Sequence, residues 1–259
     1  MVTAIGTRTF LPTFALTDNN VHIWSASLEQ PARVVRRLAA VLSEDERSRA
    51  ERFHFANHRS FFIVGRGMLR TLLARYLKLN PQEVQFEYTQ NRKPFLSPSH
   101  GVHDLCFNLS HSAGIAMYAL SQNRRLGIDI EYVRSIPDMD QIAASNFSEE
   151  ENLQFRTVDT NGKRQAFYNC WTRKEAFIKA IGDGLSFPLD QFDVSLIPGE
   201  PARLLSIFGS EQAAGQWSMH ELQPAEGYVA ALVVEGNGCS ISYQEWTQLE
   251  SIHSVEEPK

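Results

Sequence analysis

The chain has 259 residues, 43% of them hydrophobic and 21% charged, with a net charge of −5 and a pI near 5.9. At roughly 150 residues per domain this length fits two ordinary domains or one large one, and the near-balanced charge excludes nucleic-acid recruitment by a global positive field. Cys106, Cys170 and Cys239 are too widely spaced for a disulfide framework or a zinc pattern, so a reducing cytoplasm is the expected compartment. No stretch is apolar enough to span a bilayer, and MVTAIGTRTFLPTF lacks the apolar core of a cleavable leader.

Taken in chain order, residues 1–18 read as an irregular lead into a strand, VHIWSASL. SEDERSRAERFHFANHRSFFIVGRGMLRTLLARYL has the spacing of two amphipathic helices. NRKPFLS then presents Lys93 in a loop, where Pro94 favours an extended approach; a lone loop lysine is ordinarily solvated. DLCFNLSHS alternates as a strand, with Asn108, Ser110 and Ser112 on one face and Leu109 and His111 on the other. His111 and the neighbouring Ser110 hydroxyl are candidate phosphate donors, although a histidine at a strand end is more often structural. AGIAMYALS continues as another strand.

GIDIEYV follows. In a strand Asp129 and Glu131 point together while Ile128 and Ile130 point into a core. In YVRSIPDMDQIAASNFSEEENLQF, Ser148 and Glu151 make a capping box at a helix start. Ile136, Met139 and Phe147 are candidates for docking a partner's helix. The next helix, ending WTRKEAFIKAI, carries Phe167, Trp171, Lys174, Ile178 and Ile181 along one stripe, with Glu175 and Lys179 beside it. GDGL supplies glycines to end that helix. A strand GYVAALVV comes later, and the tail from Ile252 reads as frayed. A helix followed by strands thus occurs twice, which suggests two lobes: residues 1–123 and 124–251, with 252–259 as tail.

Two carboxylates on one small patch repel unless a proton or cation separates them. Glu175, 44 residues beyond Glu131 and delivered by a helix, would complete an oxygen-only site for a hard divalent cation. Ligand type does not separate Mg2+ from Mn2+. Magnesium in such a place commonly grips a substrate phosphate, so the inference is a magnesium–phosphate enzyme. The plain alternative is that Glu175 and Lys179 form an exposed i, i+4 pair worth about 0.2–0.5 kcal/mol.

NRKP, FNLSHS, GIDIE and WTRKEAFIKAIGDGL, in this order between residues 91 and 185, resemble the signature blocks of the 4′-phosphopantetheinyl transferases of the two-lobed, surfactin-synthetase type. Family-like character extends from about residue 43 to 235. The resemblance implies an α+β fold of two similar lobes related by a pseudo-twofold axis, with the active site in the cleft between them. It implies transfer of the phosphopantetheine arm of coenzyme A to a serine of an apo acyl or peptidyl carrier protein, with release of adenosine 3′,5′-bisphosphate. Asp129, Glu131 and Glu175 match the metal ligands, and Glu175 also matches the proposed base. Lys174 and Lys179 match lysines near the phosphates, with Lys179 the closer to the pyrophosphate. Ser110 and His111 match the pair at the 3′-phosphate end, and Lys93 and Pro94 the nucleotide-side loop.

The chain departs from the family pattern nearer its start. Glu46 stands where a basic residue is common, while Arg49 keeps the charge. A family arginine that helps grip the 3′-phosphate falls near Phe61, with Arg59 two residues away as a substitute, so Arg49 and Arg59 are the basic candidates for the nucleotide; Arg66 and Arg70 read as surface or inter-lobe groups. The rival readings are another magnesium-dependent phosphohydrolase or nucleotidyltransferase, and a non-catalytic coenzyme A or carrier-binding protein. A monomer with no nucleic-acid or membrane partner is expected.

Overall fold

A computed structural model describes residues 14–102, 104–182 and 187–246. Its centre is set by two strands with almost no polar residues. β5 (Ile115–Gln122) sends Ala116, Tyr118 and Leu120 to one core and Met117 and Ala119 to another. β10 (Tyr228–Glu235) divides Val229, Ala231 and Val233 from Ala230, Leu232 and Val234 in the same way. A strand that is apolar on both faces has to be covered on both. The result is four layers.

The first sheet has the order β11-β1-β5-β4, built from β11 (Ser240–Glu245), β1 (Asn20–Ser27) and β4 (Leu105–Ser112) around β5. Its outer face packs on α3 (Ala56–Leu77) through Met68, Leu69, Leu72 and Leu73. The second sheet has the order β6-β10-β9, with β6 (Leu126–Tyr132) and β9 (Trp217–Leu222) antiparallel to β10. Its outer face packs on α6 (Lys163–Ile181) through Phe167, Ala176, Phe177 and Ala180. The inner faces meet in a shared core of Val21, Ile23, Met117 and Ala119 against Ile128, Ile130, Ala230 and Leu232. The fold is therefore α+β and two-lobed, each lobe a long helix on a sheet that is antiparallel apart from the β1–β11 pair.

Smaller elements complete the lobes. α1 (Ala32–Ala40) and α2 (Glu44–Glu51) lie beside α3, and a hairpin of β2 (Phe86–Tyr88) and β3 (Pro94–Leu96) carries the Lys93 loop. α4 (Met139–Asn146) and α5 (Glu149–Thr157) precede α6. A hairpin of β7 (Phe192–Val194) and β8 (Leu204–Ile207), then the single turn α7 (Glu211–Ala214), lead to β9.

Two expectations are corrected here. Residues 240–245, assigned to the second lobe, form β11 and pair in parallel with β1 of the first sheet, Asn20 opposite Ser240. Phe147, expected to dock a partner, is 3% exposed and packs against Phe155 and Phe167, so it belongs to the second core. Ile136 and Met139 are half-buried against the same core. The capping box is present, with the Glu151 amide donating to Ser148 Oγ at 3.1 Å and the Ser148 amide donating to Glu151 at 2.8 Å. Gly182 ends α6 at φ +87, its N–H donating to the Ile178 carbonyl at 3.0 Å. The rest of the GDGL motif, the 1–13 lead and the 252–259 tail lie outside the described residues.

Candidate active site

The site begins at a glycine. Gly127, Asp129 and Glu131 share the outer face of β6, and a Cβ on Gly127 would sit 2.1 Å from the Ala176 carbonyl and 2.3 Å from the Ala180 amide. Glycine inside a strand often marks such an approach of another backbone. Because α6 rests directly on β6 there, the next residue on that face, Asp129, meets the side chain of Lys179. Lys179 Nζ donates to Asp129 Oδ1 at 2.6 Å and to Ser110 Oγ at 3.0 Å, and Ser110 Oγ donates to the same Asp129 oxygen at 2.9 Å. Asp129 is 4% exposed, and its Oδ2 is buried without a hydrogen-bond partner.

β4 and β6 are edge strands of different sheets, and polar side chains join them. Asn108 Oδ1 accepts from the Ile128 amide at 2.8 Å, Ser110 binds Asp129, and Ser112 Oγ donates to Glu131 Oε2 at 2.8 Å while accepting from the Tyr132 amide at 3.1 Å. Alternate residues of one strand thereby serve as the rungs that backbone groups would otherwise supply. Asn108 and Ser112 were read only as sharing a face with Ser110. Their partners became visible once the two edges were side by side.

Burial pushes the Glu175 carboxyl above its usual range; the Lys179 charge opposes this, and Asp129 and Glu131 add to it. Glu131 is raised by burial and by Asp129, against the Ser112 hydrogen bond, Lys179 and Arg134. The three carboxyls therefore feel one another's charge around Lys179. Among the described residues, no three His, Cys, Asp or Glu side chains already converge as a metal cage. The donor chemistry still fits a hard divalent cation: every group is an oxygen donor, the carboxyls repel, and Asp129 Oδ2 is a buried acceptor without a donor. Asp129, Glu131 and Glu175 are the residues that would hold it.

A cavity of about 400 Å3 opens beside these groups, lined by Arg92, Lys93, Pro94, Glu175, Lys179 and Gly182 among others. Lys93 Nζ donates to the carbonyls of Leu126 and Lys179, which ties the loop of one lobe to the strand and helix of the other. Its pKa is pushed down to about 8 by burial, with the charges of Arg125 and Lys179 adding to the shift and Cys106 opposing it. His111 is surface-accessible at the end of β4; desolvation and Lys179 lower its pKa, while Asp129 and a backbone hydrogen bond raise it.

Other expected site residues are placed elsewhere. Lys174 is 2% exposed and directs its ammonium at Glu151 (2.7 Å), the Leu189 carbonyl (2.8 Å) and the Phe192 carbonyl (2.7 Å). An ammonium has three donors, so none remains for a phosphate. The expected phosphate contact is corrected to a buried tie between α6, α5 and β7. Arg59 donates to the carbonyls of Glu51 and Phe53 at 3.5 and 3.3 Å, capping the end of α2. Arg49 stacks over Phe62, its Cζ 5.1 Å from the ring centre, and lines a separate basic cavity. Arg70 is neither a surface nor an inter-lobe group. It is buried within the first lobe, paired with Glu46 and donating to Val84 at 2.7 Å. Arg66 also pairs with Glu46, at the rim of that basic cavity. Glu46 itself closes the capping box of α2 with Ser43, which explains an acid where a base was expected.

Comparison with known proteins agrees with this geometry. Residues 23–123 match the family model described as 4′-phosphopantetheinyl transferase, N-terminal, and residues 125–233 that of the 4′-phosphopantetheinyl transferase superfamily. The chain is 40% identical over 227 residues to 4′-phosphopantetheinyl transferase HetI of Nostoc sp., covering 88% of this chain and 92% of that protein. It is 31% identical over 160 residues to 4′-phosphopantetheinyl transferase Sfp of Bacillus subtilis, covering 62% and 69%. It is 28% identical over 206 residues to the L-aminoadipate-semialdehyde dehydrogenase-phosphopantetheinyl transferase of Homo sapiens, covering 74% and 67%. The matched halves meet at Asn123–Arg125, between the strands that bring Ser110 to Asp129, and the chain belongs to the 4′-phosphopantetheinyl transferase family and is an enzyme of that kind.

Proposed function

We propose that this enzyme transfers 4′-phosphopantetheine from coenzyme A to a serine of an apo acyl or peptidyl carrier protein, with a divalent cation such as Mg2+, and releases adenosine 3′,5′-bisphosphate. The observation that carries the reading is the Lys179–Asp129–Ser110 cluster, with Glu131 and Glu175 coupled to it, at the wall of a cavity that also holds Lys93. A cation bound by the three carboxyls would neutralise pyrophosphate oxygens and stabilise the leaving phosphate. Lys179 and Lys93 add positive charge on the cavity wall and orient the donor. The carrier serine oxygen forms a bond to the phosphorus that bears pantetheine. The bond from that phosphorus to the bridging pyrophosphate oxygen breaks, and the electron pair leaves on adenosine 3′,5′-bisphosphate. Glu175, shared between the cation and proton transfer, accepts the serine proton directly or through water. His111, at the open end of β4, faces the nucleotide end.

Among the described residues, no helix is long and apolar enough to cross a membrane. The cleft is formed by one chain, which favours a monomer, and the free thiols of Cys106, Cys170 and Cys239 favour a reducing cytoplasm. One assay tests the whole reading: coenzyme A, Mg2+ and an apo carrier are mixed with the enzyme and the carrier is weighed by mass spectrometry. A carrier heavier by one phosphopantetheine is the expected result. Nucleotide release with an unmodified carrier indicates a phosphohydrolase, and neither product indicates a binding protein.

A further inference from the structure

Ser112 ends β4 and Ile115 opens β5, so Ala113 and Gly114 make the turn between them. Both have positive φ, +42 and +88, as the tightest hairpin turns require. Asparagine, aspartate or glycine is the usual first residue of such a turn. Alanine has no polar side chain to offset its left-handed backbone. The offset comes from the other lobe. The Tyr228 hydroxyl, at the start of β10, donates to the Ala113 carbonyl at 2.7 Å. The Tyr228 ring lies against that of Tyr132, its register partner on β6, with centroids 5.0 Å apart. From the first lobe, the Leu28 amide donates to the Gly114 carbonyl at 2.7 Å. Strain over-determined by its surroundings in this way gathers at functional sites.

What the turn holds is Ser112. Its hydroxyl accepts from the Tyr132 amide at 3.1 Å and donates to Glu131 Oε2 at 2.8 Å. To join β4 to β6 here an acceptor would be enough, and a backbone carbonyl could supply one. A hydroxyl adds a proton. With the Tyr132 amide occupying a lone pair, that proton is aimed at the carboxylate of the neighbouring residue in the strand. A carboxylate tied through one oxygen presents the other in a fixed direction, which is how outer-shell partners set the ligands of a metal ion.

We propose that Ser112 is a positioning residue: it orients the Glu131 carboxylate toward the cation, and Tyr228, by clamping the Ala113 turn, fixes Ser112 for that task. The inference rests on the cation-dependent transferase reading above.

The test titrates Mn2+ into the enzyme with coenzyme A but no carrier, and follows bound Mn2+ by electron paramagnetic resonance, without turnover. In Ser112→Ala the Mn2+ affinity should fall about tenfold or more, the scale for loss of an outer-shell partner. Ser112→Thr keeps the hydroxyl and should restore it. Tyr228→Phe removes one oxygen from the clamp and should weaken Mn2+ binding too. Because the two residues act in series, the double variant should bind no more weakly than Ser112→Ala. Wild-type affinity in a folded Ser112→Ala, or no recovery in Ser112→Thr, overturns the proposal and leaves the transferase reading intact. Wild-type affinity in Tyr228→Phe, or effects of the two substitutions that multiply, overturns the clamp; Tyr228→Phe carries the test should Ser112→Ala fail to fold. Absence of Mn2+ binding by the wild type removes the cation from the transferase reading, and this proposal with it.

Discussion

Two lysines of α6 have opposite fates, and their partners decide which. Lys174 points into the second core and finds Glu151, itself 1% exposed; Lys179, five residues on, reaches Asp129 at the cavity wall. Lys174→Met strands the Glu151 charge, and urea unfolding at pH 7 should register a loss of about 3–5 kcal/mol, the scale for breaking a buried pair. If Lys174 held a phosphate instead, the variant would keep its unfolding midpoint and bind coenzyme A more weakly. Glu175→Gln keeps the shape of the side chain but removes the proton acceptor. Its single-turnover transfer rate should drop by at least about 10²-fold, typical for loss of a general base; a full rate would end that role. The motif showed the carboxylates and Lys179 in sequence, since strand alternation fixes Asp129 and Glu131 regardless of what surrounds them. It could not separate Lys174 from Lys179, because the Leu189 and Phe192 carbonyls that claim Lys174 come from a later segment.

At the level of elements, the position of α6 depends on Gly127. Gly127→Ala drives a methyl into the helix backbone at Ala176 and Ala180, where no side chain can move aside. We expect destabilisation of about 1–3 kcal/mol or more by overpacking, together with loss of transfer activity as Lys179 moves away from Asp129. Wild-type activity and Tm in this variant would refute the close-packing account. α3, β4, β6 and α6 were readable because their apolar periods are regular, β5 because it is a continuous apolar run, and α2, whose one apolar residue is Ala50, was read together with α3. α1 was missed: with only Val34 and Leu38 buried, its apolar stripe is short. Arg59 and Arg70 were also illegible, because a guanidinium's target is set by whichever carbonyl or acid tertiary packing leaves nearby.

Over the whole molecule, buried histidines make a contribution to stability that is lost in mild acid. His22 in β1 is 1% exposed; its Nδ1 lies 2.7 Å from the Tyr76 hydroxyl, to which Trp24 also donates at 3.0 Å. Burial lowers its pKa below the ordinary 6.5. The unfolded chain therefore takes up a proton first, so this contribution is present above pH 6.5 and is lost as pH falls below it. His111 and His220 are lowered by burial too and have the same sign. Glu131, Glu151 and Glu175, raised by burial, act in the opposite sense, so the test is differential: between pH 7.5 and 5.5, His22→Gln should lose less Tm on acidification than the wild type, and an identical slope would place the effect elsewhere.

The parallel pairing of β1 with β11 has a consequence for synthesis. Asn20 meets Ser240, so 220 residues must follow before the first strand gains its outer neighbour. At about 5–20 residues per second that delay is on the order of ten to forty seconds. Through that interval the emerging amino-terminal half exposes an unpaired strand edge, the kind of surface that invites aggregation. Each half completes the other, and the emergence of β11 from the ribosome is the event that closes the first sheet.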